Sequence, residues 1–118
     1  MTPIEVVQRY LRTVTDTPVV WKVPTKRPRL FVRVDQGAPQ GVNEVSDRAL
    51  VIVQVYGDDL DAVVDLAIAL REAMRDIDLH DVHALGWGGD TGPVEYPDPD
   101  IPETHRWQFS GQLLQALR

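Results

Sequence analysis

The stretch "RALVIVQVYGDDLDAVVDLAIALREAMRDI", residues 48 to 77, constrains the fold most. Leu50 to Val53 run apolar without a break, the pattern of a central strand covered on both faces. Gly57 and two aspartates end the strand, and a helical pattern begins at once. Asp58 or Asp59 can cap that helix, and acids crowd its first turn, where the helix dipole favours them. Leu60, Val63, Val64, Ala67, Leu70, Met74 and Ile77 form one apolar stripe at helical spacing. Arg71 and Arg75 lie towards its C-terminal end, which also suits the dipole. A helix with such a stripe buries it against a sheet or another helix.

The remaining elements sort around this pair. "MTPIEVVQRYLRTV" predicts an N-terminal helix: Thr2 caps, Pro3 fits the first helical position and Glu5 completes a capping box. Ile4, Val7, Leu11 and Val14 share its apolar face, and Pro18 marks its end. "VVWKV", residues 19 to 23, is a short β-prone run cut off by Pro24 and Pro28. "RLFVRVD" alternates, with Leu30, Val32 and Val34 on one face and Phe31 and Arg33 on the other. "QGAPQGVNEVSD", residues 36 to 47, has no apolar periodicity and reads as a connection longer than a hairpin turn needs. Val42 and Val45 within it are apolar enough to bury against a neighbour.

"HDVHALGWGGD" reads as a shorter strand ending in glycines, followed by a loop through "TGPVEYPDPDIPET". In "HRWQFSGQLLQAL" His105, Trp107, Phe109, Gly111 and Leu113 share an apolar face, and Arg106, Gln108, Ser110 and Gln112 a wet one. The expected order is α-β-β-β-α-β-β. It predicts a single α+β domain over residues 1 to 118: a two-layer sandwich with a mostly antiparallel mixed sheet and two helices on one face.

Composition narrows the function classes. A formal charge of −6 disfavours stable binding to phosphate backbones, though not the passage of DNA alongside. The absence of Cys excludes a disulfide scaffold, a thiolate zinc site and a Cys nucleophile. No apolar run reaches the roughly 20 residues of a membrane helix, and the N-terminus reads as a helix start instead of a signal peptide. A chain of 118 residues builds one modest core and gains from burial in an oligomer.

The candidate chemistry is thin. His80 and His83 form His-x-x-His around Asp81, residue types that zinc uses. One is expected before a strand and the other within it, so the rings do not converge and ordinary surface or half-buried histidines are the better reading. Asp98 and Asp100 lie near Asp90, Glu95 and Glu103, and hard cations favour clustered carboxylates. Pro97, Pro99 and Pro102 interleave with them and hold the backbone extended, which separates the acids. The segment therefore reads as a stiff, solvated connection into the last strand. Ser46 and Ser110 lie in no nucleophile-elbow pattern, and "GWGGDTG" lacks the features of a phosphate loop. Lys26, Arg27 and Arg29 make a short basic patch, either a solvated turn or a contact for an acidic partner. Trp21, Trp87 and Trp107 are all expected on strands and mostly in the core. No catalytic, metal or cofactor-binding residue is assigned.

The ordered combination resembles the tail terminator proteins of long-tailed, siphovirus-like bacteriophages. It covers nearly the whole chain: a helix ending before "TPVVWKVP", then "PRLFVRVD" with a long loop, then "DRALVIVQVYGDDLDAVVDLAIALREAM", then "PDPDIPETHRWQFSGQLLQAL". The resemblance implies a fold similar to the lambda tail terminator, a mixed sheet flanked by helices, without enzymatic activity or cofactor. It implies a structural virion protein, made in the host cytoplasm, that forms a homohexameric ring on the head-proximal end of the tail tube. Its implied partners are further copies of itself, the major tail tube protein and a head–tail connector protein, with DNA passing through the lumen and no membrane. Val42, Val45, Arg27, Arg29, Trp87 and Tyr96 are the candidate contact residues, chosen for expected exposure and apolarity. A head–tail connector or head-completion ring protein remains the nearest alternative. A small metal-dependent enzyme using His80, His83 and the acidic loop, and a monomeric binding module, stand further off.

Overall fold

The computed structural model describes residues 1–117. The chain runs α1 (Pro3–Val14), β1 (Val19–Val20), β2 (Leu30–Gln36), β3 (Gln40–Asn43), β4 (Ser46–Gly57), α2 (Leu60–Met74), α3 (Ile77–His80), β5 (Ala84–Glu95) and β6 (His105–Ala116). The strands form one six-stranded sheet in the order β1-β2-β4-β6-β5, with β3 also paired to β4. Among the described residues only β1 and β2 run parallel; every other pairing is antiparallel. The α+β two-layer arrangement expected from the sequence is what forms.

Helix α1 begins with the capping box: Thr2 accepts from the Glu5 N–H, and the Glu5 carboxylate accepts from the Thr2 N–H. Asp59 caps α2 by accepting from the Asp61 N–H. Both helices lie on the sheet face carrying Val32, Val34, Val51, Val53, Val55, Phe109 and Leu113. Val6, Val7 and Leu11 of α1 and Val63, Ala67, Leu70 and Met74 of α2 complete this core. The Tyr10 hydroxyl donates to the Ala73 carbonyl at 2.6 Å and ties the helices together.

Gly111 faces the helices in β6, and its missing side chain leaves room that the Trp87 indole fills. A Cβ at Gly111 would overlap that ring. Beyond Trp87, β5 does not stop at its glycines. It continues to Glu95 through two register shifts, with Gly89 and Gly92 at positive φ, which glycine adopts without steric cost.

Three expectations are corrected. Residues 36 to 47 are not a structureless loop. The β2–β4 ladder ends at Gln36 opposite Val51, Gly37 donates to Leu50 at 2.9 Å, and β3 then resumes pairing on the same edge of β4. β2, β3 and β4 thus make one long bulged hairpin that turns at Glu44 and Val45. Second, β4 is not covered on both faces throughout. On the face away from the helices Tyr56 is buried, but Leu50 is exposed and Ile52 half-buried. Third, Trp21 lies on a bend beyond β1 and is 58% exposed, so it belongs to neither a strand nor the core.

Candidate functional site

The proline-acid segment decides whether metal chemistry has a home here. After β5 the chain crosses the face opposite the helices as a strap. Ile101 is buried against Phe31 and Tyr56, whose rings stack at 4.7 Å. Arg106, expected on the wet face, is buried beneath the strap and anchors it. Its guanidinium donates to the Tyr96 carbonyl, to the Pro97 carbonyl at 3.3 Å and to the Tyr56 hydroxyl at 3.1 Å. It also lies 3.6 Å from the Asp98 carboxylate. That carboxylate accepts from the Tyr56 hydroxyl at 3.2 Å and from the Asp100 N–H at 3.0 Å. Asp98 therefore serves as a structural anchor, and the segment is less solvated than its sequence suggests.

The histidine motif resolves in a similar way. Asp81, between α3 and β5, accepts from Arg9 Nε at 2.9 Å and Nη2 at 2.7 Å, and from the His83 N–H at 2.9 Å. Burial pushes this carboxyl up, but Arg9 and the His83 N–H outweigh it and hold the group below its ordinary range. Arg9 Nη2 also lies 3.0 Å from His83 Nδ1, where an arginine can only donate. His80 sits in α3 and stacks on Tyr10 at 5.8 Å. Among the described residues no group of three His, Asp or Glu side chains is placed to hold a metal ion. Nor is any described helix long and apolar enough to cross a membrane.

The six candidate contact residues do not form one patch. Val42 and Val45 occupy the hairpin tip, 45% and 55% exposed. Leu117 bonds to the Val45 carbonyl and adds an exposed apolar side chain there. Arg27, Arg29 and Tyr96 lie near the opposite end of the sheet, where Leu30 faces Gly57 and Gly57 faces His105. Arg27 pairs with Glu103 at 3.5 Å and Arg29 with Asp58 at 4.0 Å. Tyr96 is exposed, with Arg106 5.0 Å from its ring centroid. Trp87 sits apart, half-buried over Gly111.

The arm is the most distinctive of these surfaces. β4 and β6 pair over twelve consecutive positions, from Ser46 opposite Ala116 to Gly57 opposite His105. At about 3.3 Å per residue that is roughly 40 Å of strand, against about 22 Å for the fifteen residues of α2. The sheet is therefore longer than the helix that covers it, and all four β3 residues are exposed.

Sequence reasoning missed a second feature, the cleft between the start of α1 and Trp21. It is lined by Thr2, Ile4, Glu5, Gln8, Trp21 and Gln36. The Gln36 side chain accepts from the Ile4 N–H at 3.1 Å and joins the helix start to the end of β2. The one available signal was a tryptophan followed by Lys-Val-Pro, too short a run to hold it in a strand. No protein-family model matches the chain, and no curated protein matches it either.

Proposed function

We propose that this chain is a structural subunit of a tailed virion, a tail terminator. Copies assemble as a ring on the head-proximal end of the tail tube, stop further addition of tube protein and offer the surface to which the head attaches. The observation that carries the reading is the hairpin arm with Val42 and Val45 in solvent at its tip. A modest core gains little from exposing two valines, whereas an assembly subunit uses such groups to engage a neighbour.

The ordered resemblance to tail terminators agrees with that use of the arm. The charge of −6 suits a lumen through which DNA passes without being held. The partners are further copies of the chain, the tube protein and a head–tail connector. The site of action is the head-proximal end of the tail.

Deleting the gene from the virus that encodes it and measuring tails by negative-stain microscopy tests the proposal. Headless tubes of abnormal or variable length are the expected result. Tails of normal length that fail to join heads would indicate a connector instead. Normal infectious particles would reject both roles.

A further inference from the structure

We propose that the cleft between α1 and Trp21 is the seat for the hairpin arm of a second copy of this chain, so that copies join head to tail. The inference rests on the reading of the chain as a ring subunit and names the contact that builds the ring.

Three observations on the cleft point to an incoming chain. It has a volume of about 380 Å³ and is walled on one side by an indole more than half in solvent. Gln8, only 7% exposed, lines it and leaves its Nε2 donor without a hydrogen-bond partner. That atom is buried in the free chain, so the Gln8 side chain would have to turn outward to pair with a main-chain carbonyl of an incoming edge strand, which would remove the penalty of an unpaired amide. Glu5, the acid on the rim, is turned into the helix cap, where it accepts from Thr2.

The arm has the matching chemistry. Its tip offers two valines and the outer edge of β3, whose main chain has no further strand beside it among the described residues. Charge is complementary as well. Lys22 is the cation at the cleft edge; Arg33 nearby lies 3.9 Å from Asp35, and Arg27 and Arg29 pair with Glu103 and Asp58 towards the other end of the sheet. Residues 40 to 47 carry Glu44 and Asp47 and no cation. Lys22 stands beside the cleft, its ammonium 4.5 Å from the Trp21 ring centroid. An acidic, valine-bearing tip therefore meets an aromatic-walled cleft with Lys22 at its edge.

Geometry makes the contact intermolecular. Glu44 lies eight residues beyond Gln36, about 26 Å along the strand, so a chain cannot seat its own tip in its own cleft. Tip and cleft are different surfaces, and a contact between them is heterologous. Such contacts close into rings or extend into filaments.

The native chain has no Cys, which permits a direct test. Two single variants, Glu44→Cys and Lys22→Cys, are mixed and mildly oxidised. The expected product is a mixed disulfide dimer, at least tenfold more abundant than the dimer formed by either variant alone. Equal or greater same-site dimers, or no mixed dimer, would overturn the proposal. Introducing Trp21→Glu into the Lys22→Cys chain should abolish the mixed dimer while far-ultraviolet circular dichroism stays native, because this side chain is largely in solvent. Undiminished cross-linking would equally overturn it. Failure here leaves the tail-length measurement free to support the terminator role through another contact. Normal tails would reject that role even if the disulfide forms.

Discussion

Replacing Arg106 by Met should loosen the strap and lower the stability of the whole domain. The side chain is 8% exposed and that of its partner Asp98 12% exposed. The substitution keeps much of the aliphatic volume but removes donors to Tyr96, Pro97 and Tyr56. It also leaves the Asp98 carboxylate near the Tyr56 hydroxyl without its counter-charge. Removing one member of a buried pair costs about 3–5 kcal/mol. The strap can swing outward and rehydrate Asp98, so the low end applies, about 3 kcal/mol. For a domain of this size that corresponds to a fall in Tm of about 12 °C. Urea denaturation followed by tryptophan fluorescence, with a thermal scan, measures it. Asp98→Asn should cost less, about 1 kcal/mol, because Asn retains an acceptor for Tyr56. The double variant should show a coupling of at least about 1 kcal/mol between the two sites. A fall in Tm below about 2 °C for Arg106→Met would refute the idea that this guanidinium anchors the strap.

Three further outcomes follow from other parts of the molecule. Gly111→Ala should displace the Trp87 indole, destabilise the domain by about 1–3 kcal/mol and shift the fluorescence maximum; an unchanged spectrum and Tm would show that the indole does not occupy that space. Arg71 holds the Asp90 carboxyl below its ordinary range, chiefly through a hydrogen bond, as Arg9 and His83 do for Asp81. Depressed carboxyls contribute fully above the unfolded value of about 3.9 and lose that contribution as pH falls through their lower folded values. Stability should therefore drop below about pH 4, and denaturation of Asp81→Asn across that range should give a shallower acid limb than the native chain. Replacing Val42 and Val45 with Asp should leave Tm within about 4 °C of native, since each exposed substitution usually changes stability by at most about 0.5 kcal/mol, while preventing ring assembly seen by microscopy. Normal rings from that double variant would remove the arm from the assembly.

How much could be read in advance differs from element to element. The α1 capping box was legible because all its parts lie within four residues, and the core of the α2 stripe, Val63, Ala67, Leu70 and Met74, because it repeats at helical spacing, although Leu60, expected in that stripe, is exposed and Val64 half-buried. The alternation in β6 gave the helix-facing set Trp107, Phe109, Gly111 and Leu113. β3 was missed because Gly41 and Asn43 are poor strand formers, and its pairing comes from an edge of β4 already committed to a hairpin. The last part of β5 was missed because glycine and proline usually signal an end, whereas here β6 carries the ladder through two shifts.

The sequence by itself determined α1 and α2 with their caps, the strands β2, β4 and β6 and their helix-facing residues, because these depend on neighbours three or four residues away or on strict alternation. It also determined an acid-free run from residue 17 to residue 34. Only the tertiary structure decided that Arg106 lies beneath a strap, that Asp98 is its counter-charge and that Trp87 fills the gap at Gly111. Only it placed Trp21 opposite α1 and left the Gln8 amide unpaired between them. Gln8 and Trp21 are thirteen residues apart in the chain, and Arg106 and Tyr56 fifty. No local pattern encodes such pairings; they follow from the sheet register, which sets which side chains from distant segments share a face.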